Sequence, residues 1–163
     1  MNAIAFFDKK MFPINGFVKF HQCDPSQNTR ITIDLDGFTD TNPHGIHIHT
    51  FGDLSQGCTS ACDHYNPYDK LHGNIELHGN DRHVGDMINN VIPNKKGKVK
   101  IFYEDPLIDL FGENNVVGRM VVLHKNMDNL GIDRDTDKES AKTGKAGERI
   151  ACAVIGLSKY DHF

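Results

Sequence analysis

The chain of 163 residues reads as an all-β protein, a sandwich or barrel of about eight short strands with two long loops. Three observations predict this. Apolar and polar residues alternate with a period of two, most clearly at Ile31, Ile33 and Leu35 against Thr32, Asp34 and Asp36. Clusters of Gly, Pro, Asn and Asp break these runs at short intervals. No long stretch keeps a helical hydrophobic period.

Residues 2–7 form a short apolar strand, followed by turn chemistry at Asp8, Lys9 and Lys10 and again at Pro13, Asn15 and Gly16. Residues 17–22 alternate Val18 and Phe20 with Lys19 and His21, and residues 24–28 turn. The Ile31–Leu35 alternation comes next, then a β-branched run that carries His47 and His49. After a long polar loop, residues 84–92 resume strand character. Residues 93–97 turn, and Val99, Ile101 and Tyr103 alternate again. Leu107, Ile108, Leu110 and Phe111 lie in a connection between Pro106 and Gly112, which suits a plug over a barrel end. Residues 116–124 and 150–157 are the last two strands, and residues 137–142 fit one helical turn. One domain over residues 1–163 is the expectation for this length.

A net charge of −4 leaves no basic footprint for nucleic acid. No apolar run approaches the ~20 residues of a membrane span. The N-terminus has neither a basic start nor a long apolar core, so no signal peptide is read and a cytoplasmic protein is expected. The asparagine- and lysine-rich flavour suits an AT-rich genome, viral ones included, and for a viral source the expected compartment is host cytoplasm or virion. In a cytoplasmic setting the four cysteines, Cys23, Cys58, Cys62 and Cys152, are expected as thiols by default.

Residues 44–86 hold seven of the ten histidines. Neutral imidazole offers a nitrogen lone pair near pH 7, which makes histidine the commonest metal ligand. His47 and His49 are two apart on a strand, so both rings point to one face while Ile46 and Ile48 point to the other. Alone, that pattern reads sooner as a half-exposed strand with two polar residues than as a metal site. His44 has the wrong parity and suits a structural hydrogen bond. His64, His72, His83 and Asp86 form a second group in a loop rich in Gly, Asn, Asp and Pro. Three imidazoles and a carboxylate suit tetrahedral zinc, and a metal would give so polar a loop a reason to be ordered.

Several motifs carry a resemblance. They are His-Gly-Ile-His-Ile-His-Thr-Phe-Gly-Asp from His44, Gly-Cys-Thr-Ser-Ala from Gly57, His-Tyr-Asn-Pro from His64 and Arg-His-Val-Gly-Asp from Arg82. The tail from Lys142 to Gly156 adds Lys-Thr-Gly-Lys-Ala-Gly-Glu-Arg-Ile-Ala-Cys. In this order they resemble the copper/zinc superoxide dismutase family. The resemblance implies an eight-stranded Greek-key barrel and disproportionation of superoxide to O2 and H2O2. It implies alternate reduction and oxidation of copper, with an imidazolate bridge to a structural zinc, one copper and one zinc per subunit.

The same resemblance implies copper ligands His47, His49, His64 and His124, and zinc ligands His64, His72, His83 and Asp86, with His64 shared. The loop holds two candidate histidines, His72 and His78. The spacing from Asn66 and Pro67 to His72 matches that of the family, so the resemblance implies His72 and leaves His78 as a solvated loop residue. Asp128 matches the carboxylate that hydrogen-bonds one copper and one zinc ligand, here His47 and His72; otherwise it is a turn residue. Arg149 is implied as the catalytic guide for the anion, with Lys142, Glu139 and Thr143 in an electrostatic loop. The other charges of residues 133–138 read as a solvated run. Glu148 beside Arg149 would weaken the local field.

A Cys58–Cys152 bridge is implied, closing a loop worth ~4–5 kcal/mol in the chain-entropy account. By fixing Cys152 it would help fix Arg149. Cys62 departs from the family, which has a small residue there; it is an idle thiol, a disulfide competitor or an adventitious ligand. A homodimer is implied through the Phe51–Gly52 and Val117–Gly118 regions and the last strand, with Ile155 and Leu157 in the patch and residues 159–163 placed to alter its edge. A copper chaperone is an implied partner. Two other readings fit the motifs less well: a chaperone's dismutase-like domain, and a metal-stabilised binding protein with no copper.

Overall fold

Alternation along the chain becomes inside and outside in space. The computed structural model describes residues 1–159. Its strands are β1 (Asn2–Phe7), β2 (Asn15–His21), β3 (Thr29–Asp36), β4 (His44–His49), β5 (Ser55–Cys58), β6 (Asn89–Val91), β7 (Lys98–Asp105), β8 (Met120–His124) and β9 (Arg149–Leu157). All except β5 join one antiparallel sheet in the order β6-β4-β8-β9-β1-β2-β3-β7. The sheet curls into a nearly closed Greek-key barrel.

The interior is built by the predicted alternation. Ala3, Ala5 and Phe7 of β1, Val18 and Phe20 of β2, and Ile31, Ile33 and Leu35 of β3 are all buried. Register sets Val18 opposite Ile33 and Phe20 opposite Ile31, so each pair fills the same layer. The apolar connection after β7 does close a barrel end: Ile108 and Leu110 belong to the core. Thr29 Oγ1 donates to the Ile108 carbonyl at 2.5 Å, and the Leu110 N–H donates to Gln22 Oε1 at 2.8 Å.

β4 is buried along its whole length. Ile46 and Ile48 face the barrel core, with Leu123 and Val121 opposite them on β8. His47 and His49 face outward, opposite Val122 and Met120. Long loops cover that outer face, which is why a strand with polar parity is nevertheless buried.

Three local features differ from expectation. Residues 84–92 are not one strand: Val84–Asp86 is a 3-10 turn, and only Asn89–Val91 pairs. The Asp86 carboxylate accepts from the backbone N–H of both Gly73 and His83, which draws the chain out of the sheet. Strand β8 starts only at Met120, after a turn with Gly118 at φ +84°. The polar loop also contains a short helix, α1 (Ile75–His78), whose Asn74 side chain accepts from the N–H of Glu76 and Leu77. The helical turn near residue 140 is α2 (Lys138–Thr143), capped in the same way by Asp137.

Candidate metal centre

The segment after β4 doubles back along it. Thr50 N–H donates to the Asp63 carbonyl at 3.0 Å, and Tyr65 N–H to the Ile48 carbonyl at 2.8 Å. A single β-bridge then sets His64 beside His49. Gly85 lets the next layer approach: a Cβ there would sit 2.1 Å from the Ile48 carbonyl oxygen. His124 ends β8 where the register shifts, and it lies opposite Arg149 of β9. Such an irregularity re-aims a side chain.

Two groups of buried side chains result. His47, His49, His64 and His124 bring one nitrogen each to within 4.8 Å of the others. His64, His72, His83 and Asp86 form the second group at the same spacing. His64 belongs to both. His78 belongs to neither; it sits at the end of α1, half-buried, with Nδ1 accepting from the Asn74 N–H at 3.0 Å. His44 is also outside both groups, with Nδ1 3.0 Å from the His124 carbonyl and Nε2 3.2 Å from Asp40.

The hydrogen bonds assign the tautomers. His49 Nδ1 donates to the Cys62 carbonyl at 2.7 Å, and His124 Nδ1 to the Gly147 carbonyl at 3.0 Å. His47 Nε2 donates to Asp128 Oδ2 at 2.5 Å, and His64 Nδ1 to Asp86 Oδ1 at 3.0 Å. With each outer nitrogen committed as a donor, the inner nitrogen of each neutral ring carries a lone pair. His47 Nδ1 and His64 Nε2 are buried with no hydrogen-bond partner, and His49 Nε2 lies 3.3 Å from His124 Nε2. Four convergent lone pairs without a proton between them are a cation's donor set.

In the second group Asp86 Oδ1 lies 3.0 Å from His64 Nδ1, 2.8 Å from His72 Nδ1 and 3.0 Å from His83 Nδ1. Three nitrogens and an oxygen converge on one point, a set that fits zinc once the protons shared with Asp86, that of His64 Nδ1 included, are released. Both sets therefore fit the ions that the sequence motifs imply.

Burial, then the neighbouring imidazoles, holds His47 and His64 well below the usual histidine range; burial does the same for His49 and, less strongly, for His124. His72 is the opposite case. Burial opposes its charge, but Asp128 at Nε2 and Asp86 at Nδ1 outweigh it and raise the ring to about 9. Asp86 is held well below the usual carboxylate range, because hydrogen bonds from His64, His72 and His83 overcome burial.

These shifts fix the pH response of the metal-free chain. Depressed histidines favour folding above their ordinary value of 6.5 and cost stability as pH falls below it. His72, raised to about 9, favours folding below 6.5 and loses that contribution as pH rises towards 9. Urea midpoints of the metal-free chain are therefore expected to peak near pH 6.5. Replacing His72 with Gln should flatten the alkaline limb; an unchanged limb would refute the assignment.

Asp128 accepts from both His47 and His72, the latter at 2.9 Å to Oδ2. Sequence reasoning missed what holds it. Asn90 Oδ1 accepts from the Asp128 N–H at 2.8 Å while Asn90 Nδ2 donates to the Asp128 carbonyl at 2.9 Å. Asn89 Nδ2 reaches Asp128 Oδ2 at 3.3 Å and the Gly73 carbonyl at 2.9 Å. Two asparagines in a nominal strand, where asparagine is disfavoured, were the only available signal. Gly144 caps α2 with φ +59° and a Cβ there would meet Asp128 Oδ1 and His72 Nε2 at 2.4 Å.

A pocket of about 170 Å³ opens onto the first group, lined by His49, Asp63, His64, His124, Glu139, Thr143, Ala146, Gly147 and Arg149. The Arg149 guanidinium donates to the carbonyls of Cys58 at 2.7 Å, Thr59 at 3.2 Å and Cys62. Cys58 is disulfide-bonded to Cys152, which ties the end of β5 to β9. Lys142 does not line the pocket; its ammonium pairs with Asp63 at the rim, 3.0 Å away. Glu148 pairs with Lys125 at 3.5 Å and lines a different cavity, with Phe38 and His44.

The charge run at 133–138 is only partly solvated. Arg134 donates to the Asp81 carboxylate and carbonyl, both at 2.7 Å, and so ties this loop to the segment before His83. Cys62 is an exposed free thiol with φ +64° and ψ −145°, backbone that glycine adopts far more readily. Its carbonyl serves both His49 and Arg149.

A β-barrel bearing two adjoining donor sets, one of four imidazoles and one of three imidazoles and a carboxylate, with a ring in common, defines a two-metal redox protein with a mixed site. The copper/zinc superoxide dismutase family profile matches residues 14–155. The chain is 43% identical over 147 residues to the superoxide dismutase [Cu-Zn] of Paramecium bursaria Chlorella virus 1, covering 90% of this chain and 75% of that one. It is 44% identical over 147 residues to that of Saccharomyces cerevisiae, covering 89% and 91%. Among solved structures, the clock protein EA4 superposes with a TM-score of 0.85 at 36% identity, over 96% of this chain and 94% of that one. This chain belongs to the copper/zinc superoxide dismutase family. It is an oxidoreductase acting on superoxide, with one copper and one zinc per subunit.

Proposed function

We propose that His47, His49, His64 and His124 hold the copper of this dismutase, and that His64, His72, His83 and Asp86 hold its zinc. The observation that carries this division is the shared ring: His64 aims its lone-pair nitrogen at one set and its other nitrogen at Asp86 in the second. A copper held there would supply one-electron redox chemistry, by which one superoxide is oxidised to O2 and a second, with two protons, is reduced to H2O2.

The chain's own groups do the rest. Arg149 is the one guanidinium lining the pocket, and three carbonyls hold it there. A permanently charged group with paired donors docks a small anion beside the histidines. Glu139 and Thr143 shape the rim, and Lys142 offsets Asp63. Local charge governs capture in spite of the net −4, because charges beyond roughly 8 Å are screened at physiological salt.

Arg149→Gln is therefore expected to slow superoxide consumption severalfold and to flatten its dependence on salt. Stopped-flow rates at low and high salt, on samples assayed for copper and zinc per chain, test this. Wild-type rates at low salt in a fully loaded variant would refute it.

We infer further that two copies associate through the patch around Phe51, Gly52, Gly118 and Val154. Phe51 is 55% exposed and Leu157 71%, and a Cβ on Gly52 would touch both Gly118 and Val154, so the patch is continuous. Ile155 takes no part: it is buried in the barrel, a correction to the sequence expectation. The expected edge contribution of residues 160–163 lies outside the described residues. Phe51→Glu should shift the mass in light scattering from two chains to one; a wild-type chain that is already monomeric refutes the patch. A copper-delivering protein would meet the chain at the pocket mouth.

A further inference from the structure

Two side-chain amides lie between helix α1 and Asp128, and each fixes the direction of the next. Asn74 caps α1: its Oδ1 accepts from the N–H of Glu76 at 2.9 Å and from that of Leu77 at 3.2 Å. With the oxygen committed there, Asn74 Nδ2 faces the other way and donates to Asn89 Oδ1 at 2.9 Å. Asn89 then presents its own Nδ2 on the far side, where it donates to the Gly73 carbonyl at 2.9 Å and to Asp128 Oδ2 at 3.3 Å. His72 Nε2 lies 3.5 Å from the same nitrogen but 2.9 Å from Asp128 Oδ2, to which it donates, so it takes neither Asn89 proton.

Asn89 and Asp128 are fully buried, and Asn74 is 7% exposed. In such surroundings a reversed amide has no water to turn to. A flip of Asn89 would set its oxygen against the Asp128 carboxylate and the Gly73 carbonyl, and its NH2 against that of Asn74, leaving buried polar groups unpaired at both ends. Asn89 opens β6 opposite Ile46 with φ +63°. Glycine takes that backbone at less cost, so what asparagine adds at this position is its side chain.

We propose that Asn89 and, through it, Asn74 are positioning residues for zinc. The cap of α1 sets the direction of both amides, and the second holds Asp128 Oδ2 where His72 Nε2 meets it. Once that oxygen is fixed, the His72 ring is fixed in rotation, and its Nδ1 stays aimed at the point it shares with His64, His83 and Asp86. This rests on the zinc ligands assigned above and extends their support outward to a short helix whose Glu76 and Leu77 are exposed at the surface.

The test measures zinc affinity of the full chain by chelator competition, and the visible absorption of cobalt(II) bound in place of zinc, which reports ligand geometry rather than stability. Asn89→Gly suits the backbone and removes the amide; it is expected to weaken zinc by about tenfold, the low end for groups that support a metal ligand, and to shift the cobalt bands. Asn74→Ser keeps a good helix cap but gives up the contact with Asn89, and should weaken zinc severalfold. In the Asn89→Gly background it should cost nothing more, because the amide it orients is gone. Wild-type zinc affinity and cobalt bands in Asn89→Gly overturn the proposal, and so do losses that simply add in the double variant. Should Asn89→Gly fail to fold, Asn74→Ser decides: wild-type affinity and bands in that variant overturn the proposal equally. Wild-type cobalt binding in His72→Ala would instead sink the ligand assignment beneath it.

Discussion

Replacing His64 with Ala is expected to abolish superoxide consumption while leaving the barrel folded. The ring is the sole member common to both donor sets, so its loss takes one ligand from each. Even groups that only support a metal ligand commonly cost 10–100-fold on removal. Removing a shared ligand should therefore lower turnover by about 100-fold or more. His64 lies in the covering loop rather than in the barrel core, so the strands should survive. Circular dichroism, copper and zinc per chain, and superoxide consumption on one sample test this. A folded variant that keeps both metals and a tenth of the wild-type rate would contradict the shared-ring arrangement.

The second large effect concerns stability. Arg82 is fully buried, and its guanidinium meets Asp105 with Nη2 at 2.8 and 2.9 Å from the two carboxylate oxygens. The same side chain donates to the carbonyls of Gly79 and His83. Asp105 also accepts from the N–H of Leu107 at 2.8 Å. Asp105→Ala leaves a cation in the interior with no counter-charge, and the expected loss is about 3–5 kcal/mol. That is a large share of a total that is usually ~5–15 kcal/mol. The double variant Arg82→Met with Asp105→Leu should recover most of it, since a buried pair replaced by apolar groups is often near neutral. Urea unfolding measures both. A single-variant loss under ~1 kcal/mol would mean that water reaches the pair.

Much of this was legible in the residues. Parity alone put His47 and His49 on one face and Ile46 and Ile48 on the other, and the barrel uses them so. The alternation at Ile31, Ile33 and Leu35 likewise survives intact, because a period of two is a local property. The resemblance supplied the Cys58–Cys152 bridge, which the structure contains. Long-range partnerships were not legible. Nothing local ties Arg82 to Asp105, or Asn89 and Asn90 to Asp128. The break inside residues 84–92 was hidden for the same reason, since it depends on Asp86 gathering backbone donors from two separate segments. Arg134 read as one charge among many until its partner at Asp81 came into view.

Asp128 holds His47 through Oδ2 and His72 Nε2 between both its oxygens, and Asn90 grips its backbone on both sides. Whichever ion arrives first pays for ordering a carboxylate that the second then finds in place. Thermodynamic linkage makes that help mutual: any factor by which zinc tightens copper binding is the factor by which copper tightens zinc binding. The half-loaded forms should consequently be scarce, and the population should divide between empty and filled chains.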